Sequence, residues 1–398
     1  MQRLKRIAVG LLVLAVAATI WVPCLHLVFA RPVTQFRNAD GLPPKAKQLA
    51  ARHLQLWTDP ATRQKELDRM RASNAEWDFM GRSFLVWSLA NMGLRDPASK
   101  SVYLKTIDEI IDETLRLEKE KGMYFFLMDY ASAGKYVMKP DRSLFLDGEI
   151  ALMLASRRIL EEKEEYKTLL TERINIIEEE FNRSPHLVLE SYPDECWTFD
   201  HCLALDAMKM ADYLDGTDHS KLIHDWVAMA KKKLIDAQSG LLVASFTTDY
   251  VPLGGPQGST LWMVSHALQI LDADFARDQY TRARRELGEI ACGFGYAHEW
   301  PASWKGPANI DSGPIIPVFN ISAGSSGMAF IGASAFDDEP FLKSLCSTLD
   351  FVGFPTRKSG ALKYSASNQV GDAALLYAST LGPLWKKIET RERKGAKP

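Results

Sequence analysis

The acidic side chains of this sequence fall where proton chemistry could be done. Glu149 lies between Leu144-Phe-Leu146 and Ile150-Ala-Leu-Met-Leu154, on a segment apolar enough for a buried face. A carboxyl there must be paired, or stay protonated with a raised pKa, and a protonated carboxyl is what a general acid needs. Asp200-His201 opens another apolar segment after a Trp197-Thr-Phe199 turn, with Asp194 close before it. Two carboxyls whose environments push their pKa values apart can act as acid and base in one site. Ser191, Tyr250, Trp77, Asp78 and Asp311 add polar and aromatic groups that could hold a small-molecule substrate. Several have plainer readings. Asp194 and Asp311 suit helix N-caps, Asp78 and Arg82 are spaced to pair on one helix face, and Ser73-Asn-Ala-Glu76 matches a capping box. Trp77, Trp197, Trp300 and Trp304 each suit a core, and together an apolar or sugar-like ligand.

Signatures of other chemistries are missing from the sequence. There is no HExxH, P-loop, GxGxxG after a strand, or GxSxG. The five cysteines fit no zinc spacing. We therefore expect neither a metal nor a cofactor. The formal charge of −2 offers no basic excess for phosphates, so nucleic acid is not expected as a partner.

Helices must position these residues. Apolar periodicity of the helical kind runs from Pro44 onward, and the helices come in pairs. The first member of each pair is apolar on more than one face and is predicted near 74–94, 143–160, 197–214, 257–272, 312–334 and 367–384. The second is amphipathic, near 98–121, 163–182, 219–236, 275–292 and 338–350. A helix near 44–58 can supply the missing outer partner. A repeat of roughly 55 residues is the scale of a repeat architecture. We read it as an all-α fold, an (α/α)6 toroid of about six hairpins, with an open solenoid as the alternative. The connections between pairs are long. In a toroid they gather at one end, over the N-termini of the inner helices, where a cavity would be lined by the residues named above.

The chain ends add a location. Arg3, Lys5 and Arg6 precede an uncharged run, Ile7 to Ala30, long enough to cross a bilayer. Val28-Phe-Ala30 also resembles a cleavage site. Residues 1–31 are thus expected to be a signal anchor or signal peptide, 32–390 the (α/α)6 domain and 391–398 a basic tail. The main domain is expected outside the cytoplasm, held to the membrane or secreted. There the thiols outside the leader could pair as disulfides or stay buried and free.

The stretch from Leu146 to Ala276 resembles the linalool dehydratase/isomerase family. The landmarks are Gly148-Glu149, Tyr192-Pro-Asp194, Ala211-Asp-Tyr-Leu-Asp-Gly-Thr-Asp218, Leu234-Ile-Asp236 and Leu271-Asp-Ala-Asp-Phe275, with a weaker likeness through Ala361-Leu-Lys-Tyr364 and Leu375-Leu-Tyr-Ala378. The resemblance implies an (α/α)6 fold, cofactor-free acid/base chemistry on a small terpene alcohol, export and homo-oligomers. It also places the family's catalytic histidine on Glu149, its two active-site cysteines near Ser191 and Asp200, and an aromatic wall residue near Trp197. The chemistry carried over would therefore run on carboxyls rather than thiol and imidazole. The resulting expectation is a hydro-lyase or isomerase acting on a small hydrophobic alcohol. Glu149 and Asp200 would carry protons, Asp194 or Tyr250 would polarise the substrate, and Trp197 and His201 would stand beside it. Two alternatives stay open: a carbohydrate-active six-hairpin enzyme using paired carboxylates, and a membrane-tethered binding protein without catalysis.

Overall fold

The two kinds of helix separate in space as their faces require. The computed structural model describes residues 2–310 and 312–395, with side chains as far as 389. In chain order its helices are α1 (Gln2–Cys24), α2 (His26–Phe29), α3 (Pro44–Thr58), α4 (Pro60–Ser73), α5 (Ala75–Arg95), α6 (Lys100–Lys121), α7 (Leu144–Leu160), α8 (Glu164–Arg183), α9 (Thr198–Asp215), α10 (Ser220–Lys233), α11 (Gly258–Ala267), α12 (Ala273–Glu286), α13 (Ala323–Ala335), α14 (Glu339–Val352), α15 (Gln369–Thr380) and α16 (Pro383–Gly395).

Helices α5, α7, α9, α11, α13 and α15 form an inner ring. Each packs on the next, and α15 returns to α5. The ring is closed, so the architecture is an (α/α)6 toroid and not an open solenoid. Buried on every side, an inner helix can be apolar all round, and α7 has no exposed residue. At Gly148 a Cβ would lie 3.1–3.2 Å from Ala204, backbone included, so the absent side chain is what lets α7 and α9 approach so closely. Helices α6, α8, α12 and α14 back their inner partners, α10 docks on α9 through Trp226, and α3 packs behind α15. The early helix thus serves as the missing outer partner. Helix α16 closes the C-terminal end of the ring, where Trp385 stacks on His266 and Leu384 N–H donates to Asn91 Oδ1 at 3.1 Å. It contains the start of the expected basic tail, whose side chains lie outside the described residues.

The other end of the ring departs from the expected helices. Helix α12 stops at Glu286, and α13 starts only at Ala323. Between them stand two small antiparallel hairpins, β3 (Gly288–Ala291) with β4 (Phe294–Ala297) and β5 (Ile315–Ile316) with β6 (Ile321–Ser322); earlier in the chain β1 (Cys196–Trp197) pairs with β2 (Ser245–Phe246). A further hairpin, β7 (Pro355–Lys358) with β8 (Ala361–Tyr364), precedes α15. The turns Cys292-Gly293 and Ser359-Gly360 hold both residues at positive φ, the pairing that tight hairpin turns require. The cysteines are all free thiols, with Cys196, Cys202 and Cys346 buried. Helix α1 is long and apolar enough to cross a membrane, and none of its residues is buried against the ring.

Candidate active site

The N-terminal turns of the inner helices and the rim loops enclose a cavity of about 450 Å³. Most of its wall is aliphatic or aromatic, with Met80, Phe84 and Phe330 from the ring and Leu345, Leu349 and Val352 from α14. The carboxyl groups that line it are Glu76 and Asp200, and Tyr192, Trp77 and Trp197 line it as well.

The first turns of two inner helices deliver the acids. Glu76 stands at the start of α5, whose cap is Asn74 and not Ser73: Asn74 Oδ1 accepts the Glu76 N–H at 2.8 Å. With the helix end satisfied by Asn74, the Glu76 carboxylate turns to the cavity and accepts the Tyr192 hydroxyl. The expected capping box is corrected here. Tyr192 is fixed in turn by the Met128 N–H, which donates to its Oη at 3.1 Å. Asp200 comes from the first turn of α9 and accepts a hydrogen bond from the Ser191 hydroxyl. Burial pushes its pKa up to about 8; the Ser191 bond works against this, and the charges of Glu76 and Glu195 add to it. Asp200 therefore holds a proton at neutral pH. A protonated carboxyl beside a second carboxyl is an arrangement for giving a proton at one point and taking one at another.

Two further acids lie behind the wall. Glu149 on α7 is fully buried, its oxygens have no hydrogen-bond partner, and it does not line the cavity. Burial raises its pKa well above the carboxyl range, opposed weakly by the nearby Ser83 hydroxyl and reinforced by Asp200 and Glu76. Asp206 on α9 is likewise buried and unpartnered, and burial raises it well above the ordinary range. Deeper still, Tyr377 Oη lies 2.9 Å from His266 Nε2, and His266 Nδ1 lies 2.8 Å from Gln269 Oε1. Burial lowers His266 to about 4, so the ring is neutral, donating from Nδ1 and accepting the tyrosine proton at Nε2.

The structure places the other expected site residues as follows. Trp77 and Trp197 line the cavity, and the Trp197 indole N–H is held by Glu195 Oε1 at 2.8 Å. Ser191 is buried behind Asp200 and reaches the cavity only through it. Four residues lie elsewhere and correct the expectation. Asp194 is exposed, at positive φ, and accepts from Thr248. Asp78 is buried in an ion pair with Arg82 at 2.8 Å, with Arg71 at 3.6 Å, the plainer of its two readings. His201 faces outward from the ring, stacked on Trp226, with its nitrogens bound to the Leu189 N–H and the Trp197 carbonyl. Burial lowers its pKa to about 4, so it is neutral. Tyr250 caps a loop by donating to the His186 carbonyl at 2.5 Å. Asp311 lies outside the described residues. Sequence reasoning took Glu76 for a capping residue and passed over Tyr192 and the buried acid Asp206. Asp206 carried the same signal as Glu149, an acid inside an apolar helix run, Leu203-Ala-Leu-Asp-Ala-Met208.

No family model matches the chain, and no curated protein does. Among solved structures, it is similar to a family 105 glycoside hydrolase of C. acetobutylicum (13% identity, 78% of this chain and 93% of that one, TM-score 0.48). It is also similar to a family 76 α-mannanase of Bacteroides thetaiotaomicron (10%, 79% and 87%, TM-score 0.45). A third is the cellobiose 2-epimerase of Bacillus thermoamylovorans (13%, 75% and 86%, TM-score 0.44). The closed ring is established by its own helix packing and does not rest on these likenesses.

Proposed function

We propose that the protein is a membrane-anchored enzyme of the hydro-lyase or isomerase type, acting on a small, largely apolar alcohol by carboxyl acid–base chemistry. The observation that supports this most is that Glu76 and a proton-bearing Asp200 line one mostly apolar cavity. In this reading Asp200 gives its proton to the substrate hydroxyl, the C–O bond breaks and water leaves. Glu76, oriented by Tyr192, takes a proton from the adjoining carbon, and the electron pair of that C–H bond becomes the new C=C. Run backwards, the same steps add water. The faces of Trp77 and Trp197 favour positive charge developing on carbon. The ring would stand on the extracytoplasmic side, with α1 retained as its anchor.

A second reading has its own observation. Two tryptophans and two carboxyls lining one cavity could also stack and cleave a sugar, so a carbohydrate-active enzyme is the alternative. One screen decides between them. The full chain in detergent is offered terpenols and other apolar alcohols beside oligosaccharides, together with Glu76→Gln. Turnover of an alcohol that falls 10²–10⁴-fold in Glu76→Gln supports the first reading. Turnover of a glycan refutes it. Ligand binding without turnover, unchanged in Glu76→Gln, refutes both and leaves a binding protein.

A further inference from the structure

The anchor and the cavity share one corner of the ring. Beyond α1, Phe29 of α2 packs on Phe351 at 4.9 Å and on Phe294 at 6.4 Å, so the chain leaving the apolar helix is seated on α14 and β4. The same two elements also contribute cavity wall, through Leu349 and Val352 of α14 and through Gly295 and Tyr296 of β4. Val352 and Ile316 line the cavity and are also half exposed, which makes them part of its mouth. Around that mouth the surface is unusually apolar. Val318 and Phe319, at the tip of the β5–β6 hairpin, are 84% and 62% exposed. Phe354, held outward at positive φ, is 65% exposed. Large apolar residues grouped this way mark an interaction surface.

The neighbouring anchor says what covers it. Helix α1 is uncharged from Ile7 to Cys24. At 1.5 Å per residue that part is about 27 Å, close to a hydrocarbon core of about 30 Å. Its end therefore lies at the bilayer surface, and whatever is packed beside Phe29 lies there too. Arg31, two residues beyond Phe29, is exposed, where anionic headgroups would meet it. We infer that the cavity mouth is seated on the bilayer, with the β5–β6 tip and Phe354 in the headgroup layer, so that substrate enters from the lipid. The entry route rests on the apolar-substrate reading above; the seating rests on the anchor alone.

The test uses the full chain in nanodiscs of phosphatidylcholine and phosphatidylglycerol. Cys24 and Cys292 are replaced by serine, and nitroxide labels are placed through Phe319→Cys, Phe354→Cys and, on exposed α10, Lys221→Cys. Collision with dissolved oxygen relative to a water-soluble nickel chelate is expected to be about tenfold higher at 319 and 354 than at 221. A ratio at 319 and 354 equal to that at 221 overturns the proposal, as does dipolar broadening showing the tip against a second copy. A high ratio in a protein that turns over only glycans keeps the seating and removes the lipid route for substrate.

Discussion

Asp200→Asn should stabilise the protein, and by more as the pH rises. In the folded chain Asp200 keeps its proton up to about pH 8, while in the unfolded chain it returns to the ordinary value of 3.8. Folding at neutral pH therefore takes up close to one proton at this site. Because the folded pKa is raised, the group costs nothing below the unfolded value and destabilises progressively above it. The loss is about 1.4 kcal/mol per pH unit between pH 4 and 8, or roughly 4 kcal/mol at pH 7. Asparagine keeps the shape and can still accept the Ser191 hydrogen bond, but does not titrate. Any fixed effect of the amide is the same at every pH, so the slope isolates the proton. Guanidinium unfolding of the full chain in detergent, followed by tryptophan fluorescence at pH 4.5, 5.5, 6.5 and 7.5, gives both free energies. The variant's advantage is expected to grow with pH. An advantage that is flat or shrinks over this range would refute the idea that Asp200 is buried in its protonated form.

Other expectations follow from the same contacts. Gly148→Ala would push a Cβ against the Ala204 backbone, so the unfolding midpoint should fall by an amount worth about 1–3 kcal/mol. Arg158→Met leaves the partly exposed Asp215 without its 2.7 Å partner across α7 and α9 and should cost about 1–2 kcal/mol, checked by the same unfolding measurement. Glu149→Gln should leave the maximal rate within about tenfold of the parent, because Glu149 stands behind the cavity wall, whereas Asp200→Asn should lower it 10²–10⁴-fold. Equal losses in the two variants would mean that Glu149 reaches the substrate after all.

What the sequence disclosed and what it hid divide along physical lines. The inner helices were legible because burial on both faces leaves no polar stripe, as in the run Leu144–Leu160. Their order was legible because the pairs recur. Closure was an inference from that count, since the packing of α15 on α5 leaves no periodic mark of its own. The rim hairpins were missed: strands of two to four residues are too short for alternation to register, and only Cys292-Gly293 and Ser359-Gly360 hinted at turns. Glu76 was misread for a narrower reason. Ser73 and Asn74 are both good caps, and moving the helix start by one residue changes the carboxylate from a cap to a cavity group. His201 was credited with function for its place beside Asp200, but a helix turns a residue about 100° from the one before it. Asp200 faces the cavity, and His201, next along, faces the outer layer.

The acids at the centre of the ring also weigh on function as a group. Glu149, Asp200 and Asp206 are all buried and all pushed towards the neutral form, and two of them have no hydrogen-bond partner. A buried polar group left unsatisfied costs about 1–3 kcal/mol, and an aliphatic residue at each position would fill the same space without that penalty. Stability alone thus gives no reason for three such residues within one ring. Proton transfer does give one for Asp200, which touches the cavity, and the near charge of Glu76 supplies the contrast that separates an acid from a base. For Glu149 the influence runs from the site to the buried acid. Burial first, and then the charges of Asp200 and Glu76, hold Glu149 in its neutral form, so no charge forms behind the cavity wall while Asp200 and Glu76 exchange protons with a substrate.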